Sequence, residues 1–150
     1  MNKSSYEQEL QSRGELIYTT SGMSMRPFLR SGEDLMVIRS VKGVTLRPRD
    51  VILYRRDNGK YVLHRIMWAG KGSYVLCGDN CWQLEPGIRE DQVLGILTDV
   101  IRKGKKCSVS APAYRTAVFA WWVMYPVRAV ILWLRFVLGV LWKRIKGVKS

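Results

Sequence analysis

Histidine occurs once in this 150-residue chain, cysteine three times, and no aspartate or glutamate follows Asp99. One histidine and an isolated C-x3-C pair make a poor ligand set, so neither a metal nor a cofactor is expected. Three cysteines, Cys77, Cys81 and Cys107, without disulfide density argue for reduced thiols or at most one bridge. The first twenty residues, MNKSSYEQELQSRGELIYTT, lack the apolar core of a signal peptide, so no N-terminal signal or anchor is expected and the N-terminus is placed in the cytosol. Internal repeats and low-complexity segments are absent as well.

What is present is charge of one sign, unevenly spread. The net charge is +13, but residues 1–99 carry 14 Lys/Arg against 12 Asp/Glu, a balance of +2, while residues 100–150 carry 11 Lys/Arg and no acid. The basicity therefore belongs to the tail. The length supports one domain with a core plus an appendage.

Residues 3–12, with Ser4 or Ser5 ahead of Glu7 and Glu9, predict a short capped helix ending at Gly14. From Glu15 onward short β-type runs take over: ELIYTT, EDLMVIRSV, DVILYRR, KYVLHRIMWA, SYVLCGD and QVLGILTDVI. Turn residues separate them, and Asp57-Asn58-Gly59 predicts that DVILYRR and KYVLHRI form a hairpin with positive φ at the Asn-Gly pair. The expected fold is mainly β: a polar leader over 1–14, a β-domain over 15–105, a basic linker over 106–115 and a helical segment over 116–150.

The stretch that begins at Ala117 and closes at Trp142 contains only Arg128 and Arg135 as charges, with Pro126 dividing it. On a helical wheel Arg128, Arg135, Lys143, Lys146 and Lys149 fall within about 60° of their mean direction, leaving Val130, Trp133, Leu134, Val137, Leu138, Leu141 and Ile145 to cover the rest. So wide an apolar face exceeds what a small β-domain can bury, so the segment is expected to associate with a membrane, spanning it or lying in its interface, with a hairpin buried against the β-domain or an oligomer interface as the alternative. Basic residues interleaved with apolar ones disfavour nucleic acid as the partner.

Ser24 sits in SGMSMRP, a turn fixed by glycine and proline. A serine hydroxyl needs a base before it attacks. The single histidine, His64, lies in KYVLHRI, where alternation puts Val62, His64 and Ile66 on one face and Tyr61, Leu63 and Arg65 on the other. Asp79, in GDN, is a carboxylate at a turn. Taken singly, each of the three fits a structural role.

In chain order, however, SGMSMRP resembles the serine box of the signal peptidase I family, RPRDVILYR its following G-D-hydrophobic box, LHRI its general-base box, GDN its Gly-Asp box and VLGILTDVI its last Gly-hydrophobic strand. The resemblance covers about residues 20–102. A histidine at the base position is the pattern of the endoplasmic-reticulum-type branch, which also occurs in some bacteria and archaea. Repressor-type self-cleaving proteases share the fold and serine box, but they use a lysine base and an N-terminal DNA-binding domain.

The resemblance implies a serine endopeptidase of compact β-fold, with Ser24 as nucleophile, His64 as base at near-neutral pKa, and Asp79 orienting or charging His64. Glu85 matches a second acidic position. The Ser24 backbone N–H would serve the oxyanion, with Ser21 as a further candidate donor because Gly22 replaces the serine that several members carry. Met23, Met25, Pro27 and Phe28 would rim the cleft, against lipid or an apolar substrate, with core packing as the alternative. The implied substrate is a peptide or preprotein cut after small residues, and the implied location is a bacterial cytoplasmic membrane, on a side the sequence leaves open, as it leaves the oligomeric state. Two departures stand out: Arg49 precedes Asp50 where the family has glycine, and the apolar segment follows the boxes instead of preceding them. The competing class is a non-enzymatic membrane-surface module.

Overall fold

The computed structural model describes residues 3–19 and 21–147, with side chains from Tyr6 onward. Thr20 of ELIYTT and Lys149 of the cationic stripe lie outside the described residues. Helix α1 (Lys3–Arg13) contains Ser4 and Ser5 in its first turn, so neither is its N-cap, and it stops where Gly14 takes φ 70°. Eight strands follow: β1 (Glu15–Tyr18), β2 (Asp34–Ser40), β3 (Val51–Arg55), β4 (Tyr61–Ala69), β5 (Ser73–Cys77), β6 (Glu85–Arg89), β7 (Val93–Arg102) and β8 (Lys105–Ser108). They form one antiparallel sheet in the order β1-β2-β7-β3-β4-β5-β6, with β8 added to β7.

All six expected strands are present, and the fold is mainly β. Two more were not expected. Strand β6 reads EPGIR, with two strand-weakening residues, and survives at the sheet edge, where Pro is tolerated. Strand β8 lies in the stretch read as linker; its lysines are exposed, as suits a short charged edge.

The DNG turn joins β3 to β4 in the register Arg55↔Tyr61. Only Gly59 of the Asn-Gly pair takes positive φ, at 76°, and the Arg56 N–H reaches Lys60 O at 2.9 Å, so the loop has three residues and its left-handed conformation falls on glycine alone. Strand β3 is buried on both faces. Val51 and Leu53 join one core with Leu10, Met25, Leu29 and Leu97, while Ile52 and Tyr54 join a second with Ile66, Leu76 and Ile88. On β7, Gly95 allows close pairing with β2, because a Cβ there would lie 2.4 Å from Ile38 Cγ2 and 2.9 Å from Arg39 O.

After β8 come α2 (Pro112–Val123) and α3 (Tyr125–Gly147). Helix α3 spans 23 residues with mean hydropathy 1.5 in its most apolar window, none of which is buried. At about 1.5 Å per residue its length matches a bilayer's hydrocarbon core. The helix is thus long and apolar enough to cross a membrane.

Candidate active site

Ser24 lies on a turn between β1 and β2 whose anchors are apolar: Met25 is 5% and Leu29 3% exposed, and the Leu29 N–H closes onto Met25 O at 3.0 Å. The far end is held by Arg102, which donates to Phe28 O at 3.0 Å while forking Asp34 at 2.8 and 2.6 Å. From behind, the loop of residues 78–80 presses on Ser24. The Asn80 N–H donates to Ser24 O at 2.7 Å, and a Cβ on Gly78 would lie 2.7 Å from that oxygen and 3.1 Å from Ser24 Cβ. Glycine at 78 is therefore a steric condition for the contact.

Asp79 does not reach His64. Its carboxylate is forked by Arg65, Nε to Oδ1 at 2.7 Å and Nη2 to Oδ2 at 2.6 Å, and each residue is only 2% exposed. Arg65 spends its remaining reach on Arg49 O, at 2.7 Å. Strand alternation explains the choice, since neighbours Arg65 and His64 project to opposite faces of β4. The role implied for Asp79, orienting or charging His64, is thus geometrically taken up by a different pairing. Two charges at this depth hold only because they are matched, and deleting one partner of such a pair costs about 3–5 kcal/mol.

The carboxylate near His64 is Glu85, at 3.7 Å from Nδ1. Strand β4 pairs with β3 so that Ile52 opposes His64 and Tyr54 opposes Val62, which puts Tyr54 diagonally beside the imidazole. The Tyr54 hydroxyl donates its one proton to Glu85 Oε2 at 2.6 Å, so its oxygen, 3.3 Å from His64 Nδ1, is left to accept from an Nδ1–H. This places the proton on Nδ1 and leaves Nε2 with the basic lone pair. Arg56 completes the group by forking Glu85 at 2.6 and 2.6 Å.

Burial is the main reason that His64 is pushed down to about 4, below the near-neutral value expected from sequence; Glu85 opposes the shift and Arg56 adds to it. For Glu85 burial acts upward, but the hydrogen bonds from Arg56 and Tyr54 outweigh it and hold the carboxyl below its ordinary value. At neutral pH the group is a neutral imidazole beside a carboxylate that a guanidinium compensates.

Ser24 and His64 line the same cleft, of about 550 Å³, together with Ser21, Gly22, Arg56 and Leu63. Among the described residues the Ser24 hydroxyl makes no hydrogen bond, and its backbone N–H has no acceptor. Strand β5 pairs with β4 only from Arg65 onward, so the backbone edge of β4 at Leu63 borders the cleft. Of the four residues expected at the rim, Met25 lines the cleft while also belonging to the core at 5% exposure; Met23, 60% exposed, and Pro27, exposed, are not among the residues that line it. Phe28 is half-buried, packed edge-on against Tyr114 and Trp121 with the Arg65 guanidinium 5.2 Å above its ring. For Phe28 the packing alternative holds, and Met25 serves both the core and the cleft wall.

The C-terminal helices touch the site. Trp121 Nε1 donates to Asp79 O at 3.0 Å, Arg128 donates to the same carbonyl, and the Tyr125 hydroxyl donates to Trp82 O at 2.8 Å. Arg128, read as part of a cationic stripe, instead folds over Trp121 toward the 78–80 loop. Tyr54, Arg56 and Arg65 were not singled out in the sequence; of these, Tyr54 follows from the hairpin register, whereas the pairing of Arg65 with Asp79 depends on tertiary contact. The three cysteines are free thiols, and burial pushes Cys77 up to about 12. No family model, curated protein or solved structure matches the chain.

Proposed function

We propose that the chain is a membrane-associated serine endopeptidase of signal-peptidase type, with Ser24 as nucleophile and His64 as general base. The observation that carries this reading is the sharing of one cleft by an unbonded serine hydroxyl and a histidine whose Nδ1 is occupied by Tyr54 and Glu85. His64 Nε2 takes the Ser24 proton as Oγ attacks the scissile carbonyl, and returns it to the leaving amine. Water then attacks the acyl-enzyme with His64 again as base. The Ser24 N–H receives the oxyanion, and Ser21, which lines the same cleft, is the second candidate donor. Glu85 stabilises the imidazolium through its proximity to Nδ1, while Asp79 acts at a distance by fixing the loop behind Ser24.

The substrate in this reading is a leader or signal peptide, or a preprotein carrying one, laid along the β4 edge at Leu63 as an added strand and cut after small residues. The apolar α3 ties the enzyme to a bacterial cytoplasmic membrane. A membrane-surface module without catalysis would account for α3 but gives no reason for the Tyr54–Glu85 arrangement around the only histidine. The separating experiment is labelling by a serine-directed covalent probe: wild type reacts at Ser24 and Ser24→Ala does not, whereas equal labelling or none in both removes the enzyme reading.

A further inference from the structure

A second cavity, of about 350 Å³, is walled by the loop before β3, by Arg65 and by the first half of α2. This volume is at the low end for small-ligand pockets. Four arginines contribute to its wall, Arg47, Arg49 and Arg115, which are exposed, and the buried Arg65. Arg65 is neutralised by Asp79, but among the described residues Arg47, Arg49 and Arg115 have no ion-pair partner. The one carboxylate in the wall, Asp50, accepts from the Arg47 N–H at 2.8 Å, and burial raises its pKa. Counting Asp50 and Asp79 against the four arginines leaves two positive charges uncompensated around the cavity.

Two further features lie in the same wall. Arg49 holds φ 82°, a left-handed conformation that favours glycine, so an arginine there is retained against backbone strain. Its guanidinium lies 5.4 Å over the Phe119 ring, which fixes the side chain along α2. The hydroxyl of Tyr114, another wall residue, is buried close to Arg65, and among the described residues it has no partner at hydrogen-bond geometry. Planar guanidiniums with a hydroxyl donor among them suit the oxygens of a phosphate group.

We propose that this cavity binds a phosphate group, presented by the headgroup of an anionic phospholipid. Helix α2 forms one wall, carries exposed Phe119 and Val123, and leads directly into the apolar α3, so the site lies on the element that approaches the membrane. The proposal is independent of Ser24 chemistry, and its test reads binding alone.

The test uses full-length protein in neutral detergent, with thermal unfolding followed during titration by short-chain phosphatidylglycerol, phosphatidylcholine or inorganic phosphate. Arg49→Gly with Arg115→Ala is the cavity variant, since glycine suits φ 82° and preserves the fold; Lys143→Ala with Lys146→Ala is its charge-matched control. Phosphatidylglycerol should stabilise wild type and the control, and bind the cavity variant about tenfold or more weakly than the control, as expected when guanidiniums that hold the phosphate by charge-assisted hydrogen bonds are removed. Inorganic phosphate matching phosphatidylglycerol would keep the phosphate site but reassign its source to a soluble phosphate. Equal losses in cavity variant and control, or equal response to phosphatidylcholine, would overturn the proposal.

Discussion

The two faces of strand β4 carry the two halves of the site in opposite styles. On one face Arg65 and Asp79 are buried and matched in a bidentate pair, and they fix the loop that backs Ser24. On the other, His64 sits beside Glu85, which is a quarter exposed and shares its charge with Tyr54 and Arg56. The first arrangement contributes rigidity. The second keeps a neutral imidazole with a carboxylate behind it, the arrangement a base requires. In the proposed enzyme, adjacent residues of one strand thus serve positioning and chemistry separately.

The sharpest break of that division is Asp79→Ala, expected to cost about 3–5 kcal/mol in denaturant unfolding because Arg65 is left buried and unpaired. Arg65→Met combined with Asp79→Leu should recover most of this, since an apolar pair needs no compensation. If Asp79→Ala lowered activity with no loss of stability, Asp79 would belong with the chemistry after all.

The second break concerns pH. His64 has a folded pKa of about 4, depressed from an ordinary 6.5 by burial, so the unfolded state binds more protons between those values. Its contribution is full above pH 6.5 and is lost as pH falls toward 4, about 3 kcal/mol in all. Wild type should show this acid loss, and His64→Gln should flatten it. The acid limb of kcat/KM should likewise lie well below pH 6; a limb near 6.5 would place His64 in a more solvated setting than its 12% exposure implies.

A smaller effect is expected from Glu85→Gln: kcat lower by roughly 10- to 100-fold with KM nearly unchanged and stability altered by about 1 kcal/mol. Tyr54→Phe should be milder still in kcat, because Glu85 remains near Nδ1, and its signature is a changed pH profile. Loss of stability without loss of kcat in Glu85→Gln would make the two faces alike.

The six apolar strands were legible because turn residues bracket them and DNG fixes one pairing. Strands β6 and β8 were not, because Pro86-Gly87 and Lys105-Lys106 mask pattern with breakers and charge. Ser24 and His64 were legible through ordered motifs and meet in one cleft, whereas the carboxylate beside His64 is Glu85 and not Asp79. Sequence alternation already put Arg65 opposite His64, but which acid it would capture depends on how the 78–80 loop packs against Ser24. The depressed pKa of His64 was equally hidden, since it arises from burial between Tyr54 and the neighbouring core.

The most direct measurement is turnover of a peptide bearing small residues at the cut, in neutral detergent, by wild type and Ser24→Ala at equal stability. Wild type should cleave, and Ser24→Ala should fall by about a thousandfold or more. Equal rates in the two proteins would contradict the account.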